Sequence, residues 1–382
     1  MNRLDQLLKR MAQRPVRSDL SPIKKQVKKD FAFPESTRII QVVGSNGKGS
    51  VVHYLSSLLT RADKSVLAYF SPHLYHPAER ININGQPLSP EYFEKLLTDL
   101  PEQIFENFTP FEILFYLSLQ VASEIEPDYI ILEAGLGGRW DATSSISADW
   151  TVLTSIELEH TEFLGESEEE ILIEKTAQIP EFGNLVAPEL SGALSGKLLE
   201  IAAEKKLHLH TVVLADSIVK MNKNIAAAVF AELVPEVKAV EVEYWLGELA
   251  PPPGRREKIK YRDRLFLLDV AHTPAALLGL LEECFRGLPD TYFVFACLRG
   301  KKYKQMVELL ADALDPEKII FTETASPRSL PVEELKKVLP GAVAAGEPRR
   351  AAGEVMKRSR PGDTIVIAGS FTLVGWFKEW LH

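Results

Sequence analysis

The stretch Ile39-Ile40-Gln41-Val42-Val43-Gly44-Ser45-Asn46-Gly47-Lys48-Gly49-Ser50 decides the fold. Its first five residues read as a buried strand, and Val51-Val52-His53-Tyr54-Leu55-Ser56-Ser57-Leu58-Leu59 after it reads as a helix. Glycines between the two let successive backbone N–H groups curl around an anion, and the helix N-terminus adds its dipole. Lys48 then reaches a β- or γ-phosphate as a point charge, and the Ser50 hydroxyl is placed to ligate Mg²⁺. The spacing departs from the usual phosphate loop, because Gly49 separates the lysine from the serine and the first glycine stands closer. A plain glycine-rich turn is the alternative. A lysine and a serine hydroxyl directly after a buried strand favour a triphosphate site built from Gly44, Ser45, Asn46, Gly47, Lys48, Gly49 and Ser50.

Further strands follow the same plan. Ser65–Phe70 is predicted as a second strand, ending at Ser71-Pro72-His73-Leu74, and Glu79–Leu88 alternates around an Asn-Gly turn like a small hairpin. Helices are expected from Ser89-Pro90-Glu91 and over about 111–124. Tyr129–Leu132 runs as a third strand into Glu133 and Gly135-Leu136-Gly137-Gly138-Arg139-Trp140-Asp141, and Thr151–Ile156 as a fourth into Glu157-Leu158-Glu159-His160. Ligand groups gather at the carboxyl ends of strands in an open α/β sheet. Here those ends carry Lys48 and Ser50, Ser71, Glu133, and His160. A carboxylate after a wholly apolar strand needs a partner, so Glu133 is read as a metal ligand or, alternatively, as salt-bridged to a nearby arginine such as Arg139. His160 reads equally as a ligand or a packed histidine, and Lys175 alone as a surface lysine on an acidic helix.

Residues 1–35 hold two short amphipathic helices, the first within Met1 to Val16, the second opened by Ser21-Pro22. Residues 184–248 alternate helical and strand-like segments. Pro251-Pro252-Pro253-Gly254 then breaks the chain, which predicts a first domain over 1–249 and a second over 250–382. The second reads as strands 265–268, 292–295, 319–321 and 364–368, with helices from Pro274, over 301–313, near 347–359 and from about Leu373.

Length and composition fit this plan. With 382 residues, 46% hydrophobic and 25% charged, the chain supports two or three globular domains. A net charge of −9 argues against broad nucleic-acid binding. No leader pattern or long apolar run is present, and Cys284 and Cys297 lack metal spacing, so a soluble cytoplasmic chain with core thiols is expected.

Taken in order, these motifs resemble the folylpolyglutamate synthase and dihydrofolate synthase family of the Mur ligase superfamily. The later segments Pro253-Gly254-Arg255, Leu268-Asp269 with Ala271-His272, and Gly369-Ser370-Phe371 fit as well. The resemblance implies an α/β protein with a Mur-ligase-like P-loop ATPase domain followed by a smaller Rossmann-like domain. It implies an ATP-dependent amide ligase that adds L-glutamate to dihydropteroate, to a reduced folate, or to both, through an acyl phosphate. Ser50 and Glu133 are implied ligands of Mg²⁺ on the nucleotide. Ser71, Glu133 and His160 are implied ligands of a second ion, beside a carbamylated Lys175. Lys48, Lys175, His160, Asp269 and His272 are implied in catalysis, and Asn224, Arg255, Asp269 and His272 in binding ATP. Arg80, Thr109 and Asp141 are implied on the acid substrate, the last two at its pterin. Partners are then small molecules only, and the chain is expected to be a monomer.

Several residues depart from that pattern. Ser45 replaces threonine, Glu157 and Glu159 replace glycine and aspartate, and Thr273 follows His272 where asparagine is usual. Arg299-Gly300-Lys301-Lys302 lacks an acidic residue, and about 210–225 is short. A Mur-type ligase for another acid and amino acid, or an ATP-binding protein without ligation, are the competing readings.

Overall fold

The computed structural model describes residues 3–13, 19–285 and 290–382. Part of the N-terminal segment Met1 to Val16 therefore lies outside the described residues. The chain divides into two units, Met1–Leu249 and Ala250–His382.

The first unit is built on a sheet of β1 (Arg38–Val43), β2 (Val66–Tyr69), β3 (Ile81–Ile83), β4 (Gln86–Pro87), β5 (Tyr129–Glu133), β6 (Trp150–Leu153), β7 (Asn184–Pro188) and β8 (His208–Val212). Their spatial order is β4-β3-β2-β5-β1-β6-β7-β8. Only β3 runs against the others, so β2–β3 and β3–β4 pair antiparallel and every other pair is parallel. A parallel sheet must be covered on both faces, which is why β1, β2 and β5 are mostly apolar instead of alternating with polar residues. Ile39, Leu67, Tyr69, Ile130 and Leu132 pack into one core with the helices Pro90–Asp99 and Pro110–Ile125. Ile40, Val42, Val66, Ala68 and Ile131 face the opposite core with the helices Lys48–Arg61 and Ile218–Leu233. The period-two switch of each strand thus fastens helices to both faces.

Among the element ends that differ from the sequence reading, two have their reason in the phosphate loop. The helix after the phosphate loop starts at Lys48, because Gly47 at φ +87° serves as its N-cap. Strand β6 stops at Leu153 instead of Ile156, since Thr154 and Ser155 turn their hydroxyls to the loop.

The second unit contains β9 (Glu257–Tyr261), β10 (Arg264–Leu268), β11 (Thr291–Phe295), β12 (Ile319–Phe321), β13 (Val343–Ala344) and β14 (Thr364–Ala368), ordered β13-β12-β11-β14-β10-β9. Only β9 is antiparallel among these described strands. It joins β10 through Arg262 and Asp263, both at positive φ, the two-residue turn that suits hairpin twist. Strand β9 was not expected from the sequence. Its exposed Lys258 and Lys260 blunt an edge that would otherwise pair with another chain. The C-terminal helix begins at Phe371, slightly earlier than expected. Cys284 and Cys297 are buried thiols. Among the described residues no helix is long and apolar enough to cross a membrane.

Candidate active site

The phosphate loop is stitched to the end of β6. The amide of Ser45 donates to Ser155 O at 2.9 Å, that of Asn46 to Ser155 Oγ at 2.9 Å, and Thr154 Oγ1 donates to Asn46 O at 2.5 Å. Gly44 sits at φ +144°, where an added Cβ would stand 2.0 Å from Thr154 Oγ1. Lys48 is half-buried, and its Nζ donates to Gly44 O at 2.7 Å and Ser45 O at 3.3 Å. The ammonium is therefore held over the loop, where phosphate charge would arrive. Ser50 is buried two residues into the helix.

Strand register brings the next groups alongside. Val42 of β1 pairs with Glu133 of β5, and Tyr69 of β2 pairs with Leu132. Glu133 is 3% exposed, and its Oε2 accepts the Ser71 amide at 2.8 Å. The Arg139 guanidinium faces Glu174 at 3.6 Å. Arg80, 6% exposed, donates from Nη1 to Ser71 Oγ at 3.3 Å and from Nε to His73 Nδ1 at 3.1 Å. Burial, with Arg80 beside it, lowers the His73 imidazole to about 3. It is thus a neutral acceptor that fixes the guanidinium.

Lys175 is no surface lysine. It is 1% exposed, and its Nζ donates to Glu159 Oε1 at 3.1 Å. Burial first, and Lys48 second, pull its amine down to about 8, against the pull of Glu159. For Glu159, burial pushes the carboxyl up, but Lys175 and Lys48 outweigh it and the net direction is down. His160, in the left-handed region at φ +46°, caps the helix Thr161–Leu164 and faces Glu162 at 4.0 Å. Among the described residues no three of His, Cys, Asp and Glu converge on a metal position. A divalent ion would depend on hydroxyl oxygens of Ser50 and Ser71 beside Glu133 and His160, a set whose hard oxygens suit Mg²⁺ together with phosphate.

The Lys175 value has a consequence for stability. An ordinary lysine titrates at 10.5, so between about pH 8 and that value the unfolded chain holds a proton that the folded chain has released. The group's contribution to stability therefore rises with pH through this window, and below about 8 its full cost remains. Urea unfolding of the native chain and Lys175→Met at pH 7.5 and 9.5 should show the native chain gaining on the variant by about 2 kcal/mol. An unchanged gap would return Lys175 to an ordinary amine.

Other expected site residues are placed as follows. Thr109 N-caps the helix Pro110–Ile125, exchanging bonds with Glu112. Asp141 is buried and accepts from Gly135 N, Leu136 N, Thr143 N and Thr143 Oγ1, so its carboxylate organises its own loop. Burial raises it, while those hydrogen bonds oppose the shift. Asn224 lies half-buried on the helix Ile218–Leu233. In the second unit Arg255 lies over the Phe371 ring at 5.6 Å, and the His272 ring stands 5.8 Å from the same ring. Asp269 pairs with Arg256 at 2.9 Å.

Residues 254–371 match the family described as Mur ligase, glutamate ligase domain. The dihydrofolate synthase/folylpolyglutamate synthase of Buchnera aphidicola subsp. Baizongia pistaciae is 28% identical, covering 91% of this chain and 88% of that protein. A solved structure of bifunctional folylpolyglutamate synthase/dihydrofolate synthase from Yersinia pestis, complexed with AMPPNP and Mn ion, superposes with a TM-score of 0.82 at 25% identity, covering 100% of this chain and 98% of that one. The E. coli FolC in complex with DHPP and ADP gives a TM-score of 0.85 at 23% identity, covering 100% and 97%.

The chain is thus similar over most of its length to dihydrofolate synthase/folylpolyglutamate synthases, and its second unit matches the Mur ligase glutamate ligase domain.

Within this fold the structure adds residues that sequence reading passed over. Asn222 is buried against Gly47, where an added Cβ would stand 2.4 Å from its Oδ1, so it limits the phosphate loop from below. Its signal was a polar residue at a helix position otherwise facing the core. Glu157 was noted only as a departure; its amide donates to Ser45 Oγ at 3.0 Å, and burial raises its carboxyl while Asn46 bonds it. Arg256 had no signal beyond standing next to Arg255.

Proposed function

We propose that this chain is an ATP-dependent ligase that joins L-glutamate through an amide bond to dihydropteroate, to a reduced folate, or to both. The observation that carries this reading is the reach of the likeness through both units, so that one chain contains the phosphate-loop sheet and the glutamate ligase fold. The acid's carboxylate oxygen attacks the γ-phosphorus, the bond to ADP breaks, and an acyl phosphate forms. The neutral amine of glutamate then attacks the acyl carbon; phosphate leaves, and the amine's proton passes to solvent or a base. Such transfer needs mainly positioning and charge neutralisation.

Lys48 and the first amides of the helix Lys48–Arg61 hold the β- and γ-phosphates, and Asn224 serves the adenine. Ser50 and Glu133 would hold Mg²⁺ on the nucleotide, with Ser71, Glu133 and His160 offering a second position. When bound, the metal neutralises phosphate charge and polarises the attacked centre. Arg80, fixed by His73, supplies a buried cation for the acid's carboxylate. Thr109 and Asp141 shape the acid's site through the helix start and the loop that they organise. Lys175, buried and titrating near 8, is suited to carbamylation, in which CO₂ adds to the neutral amine and a proton is released. Arg255, Asp269 and His272 are assigned to ATP.

Phosphate release from Mg-ATP with L-glutamate, comparing dihydropteroate, tetrahydrofolate and no acid, tests the proposal. Release should depend on an acid, with a product heavier by one glutamyl residue. Release that ignores both acids would overturn the substrate assignment.

A further inference from the structure

Arg256 occupies a backbone conformation that its side chain does not favour. At φ +53° it lies in the left-handed region, where a residue with a Cβ is strained and persists only when its surroundings hold it there. What holds it is a carboxylate. Asp269 Oδ2 accepts both the backbone amide of Arg256 at 3.0 Å and its Nη1 at 2.9 Å, while Asp269 Oδ1 accepts the amide of Ala271 at 2.8 Å. The guanidinium is 12% exposed and reaches a second acid, Glu283, through Nε at 2.7 Å.

One carboxylate therefore ties two turns together. The first runs from Gly254 to Arg256 and carries Arg255; the second runs from Asp269 to Thr273 and carries His272. A backbone bond from Val270 N to Gly254 O, 2.8 Å, joins the same turns, and His272 Nδ1 meets Val270 O at 2.8 Å. Arg255 and His272 leave these turns to meet at the Phe371 ring, at 5.6 Å and 5.8 Å from its centre. With both Asp269 oxygens engaged inside the unit, its charge is neutralised by Arg256 before any ligand arrives.

We infer that Arg256 is a positioning residue for the ligase reaction: its guanidinium and strained backbone lock Asp269, and through it set Arg255 and His272 in register on Phe371. The inference rests on the function proposed above. It also gives Asp269 a bracing role between the turns.

The backbone strain supplies the test. Arg256→Gly removes the guanidinium but relieves the left-handed φ, so the fold should keep its thermal midpoint within a few degrees. Arg256→Lys keeps a cation without the fork that serves two acids. In the full chain, Arg256→Gly should lower kcat about 10- to 100-fold with KM for ATP nearly unchanged, and Arg256→Lys should recover part of the loss. Amide exchange of peptides covering 254–257 and 269–273 should quicken in Arg256→Gly and stay unchanged elsewhere. Native kcat in Arg256→Gly, or native exchange across both turns, would overturn the positioning role. A native chain that ligates no acid at all would overturn the proposed function instead, and exchange in the two turns would still decide whether Arg256 locks them.

Discussion

Replacing Lys48 by alanine should abolish ATP turnover and leave the protein folded. The ammonium stands over Gly44 O and Ser45 O, at the loop proposed to take the β- and γ-phosphates, and no other cation is fixed to the loop's own carbonyls among the described residues. Phosphoryl transfer concentrates charge on the transferred group, and removal of a fixed donor in a water-poor site costs a factor of about 10² to 10³, more where the donor also binds the ground state. Stability changes little, because the side chain is half-exposed and its loss relieves repulsion on Lys175. Phosphate release followed beside a thermal melt reads both quantities. Turnover retained in Lys48→Ala would remove the phosphate-loop assignment, whereas a lost melting transition would mean that the loop supports the sheet.

Gly44→Ala has the largest expected effect on the fold of the first unit. Two penalties coincide at this position. The added methyl would lie 2.0 Å from Thr154 Oγ1 and 3.0 Å from the amides of Thr154 and Ser155, and φ +144° is a conformation that L side chains rarely adopt. Together they should cost about 3 kcal/mol or more in urea unfolding, since neither can be relieved without separating the loop from β6. The double variant Gly44→Ala/Thr154→Ala separates the causes: removing the hydroxyl clears the clash but leaves the strained φ, so recovery should be partial. Full recovery would show that the backbone tolerates the turn, and native stability in the single variant would mean that the loop sits away from β6.

These two residues also show what could be read without coordinates. The apolar strand, the glycines and Lys48 announce their chemistry locally, because the periodicity and turn requirements act within a dozen residues. The placement of Ser71 and Glu133 at strand ends and the start of the second unit were legible for the same reason, each directly following a strong strand or a proline break. What could not be read depends on distant partners. Nothing near Lys175 in sequence says that it is buried, since the helix Glu168–Thr176 opens with three glutamates and looks solvated; its burial follows from packing against Glu159, sixteen residues away. Asp141 reads as a substrate group, yet its oxygens are consumed by Gly135, Leu136 and Thr143. Arg256 is invisible because its role is set by a backbone angle and by an aspartate on a neighbouring strand end. Antiparallel β9 was missed because its charged, alternating residues resemble a loop until β10 supplies the pairing.

The stitching of the phosphate loop to β6 couples two properties usually considered apart. Because Ser45 and Asn46 are already bonded to Ser155, and Thr154 to Asn46, the loop takes its shape when the sheet forms and not when a nucleotide arrives. A ligand that recognises this shape binds the folded chain alone, and mass action makes it a thermodynamic staple across β1 and β6. Nucleotide supply then sets not only how fast the protein works but how much of it survives heat and proteolysis, and any substitution that loosens the β1–β6 seam weakens affinity and durability together.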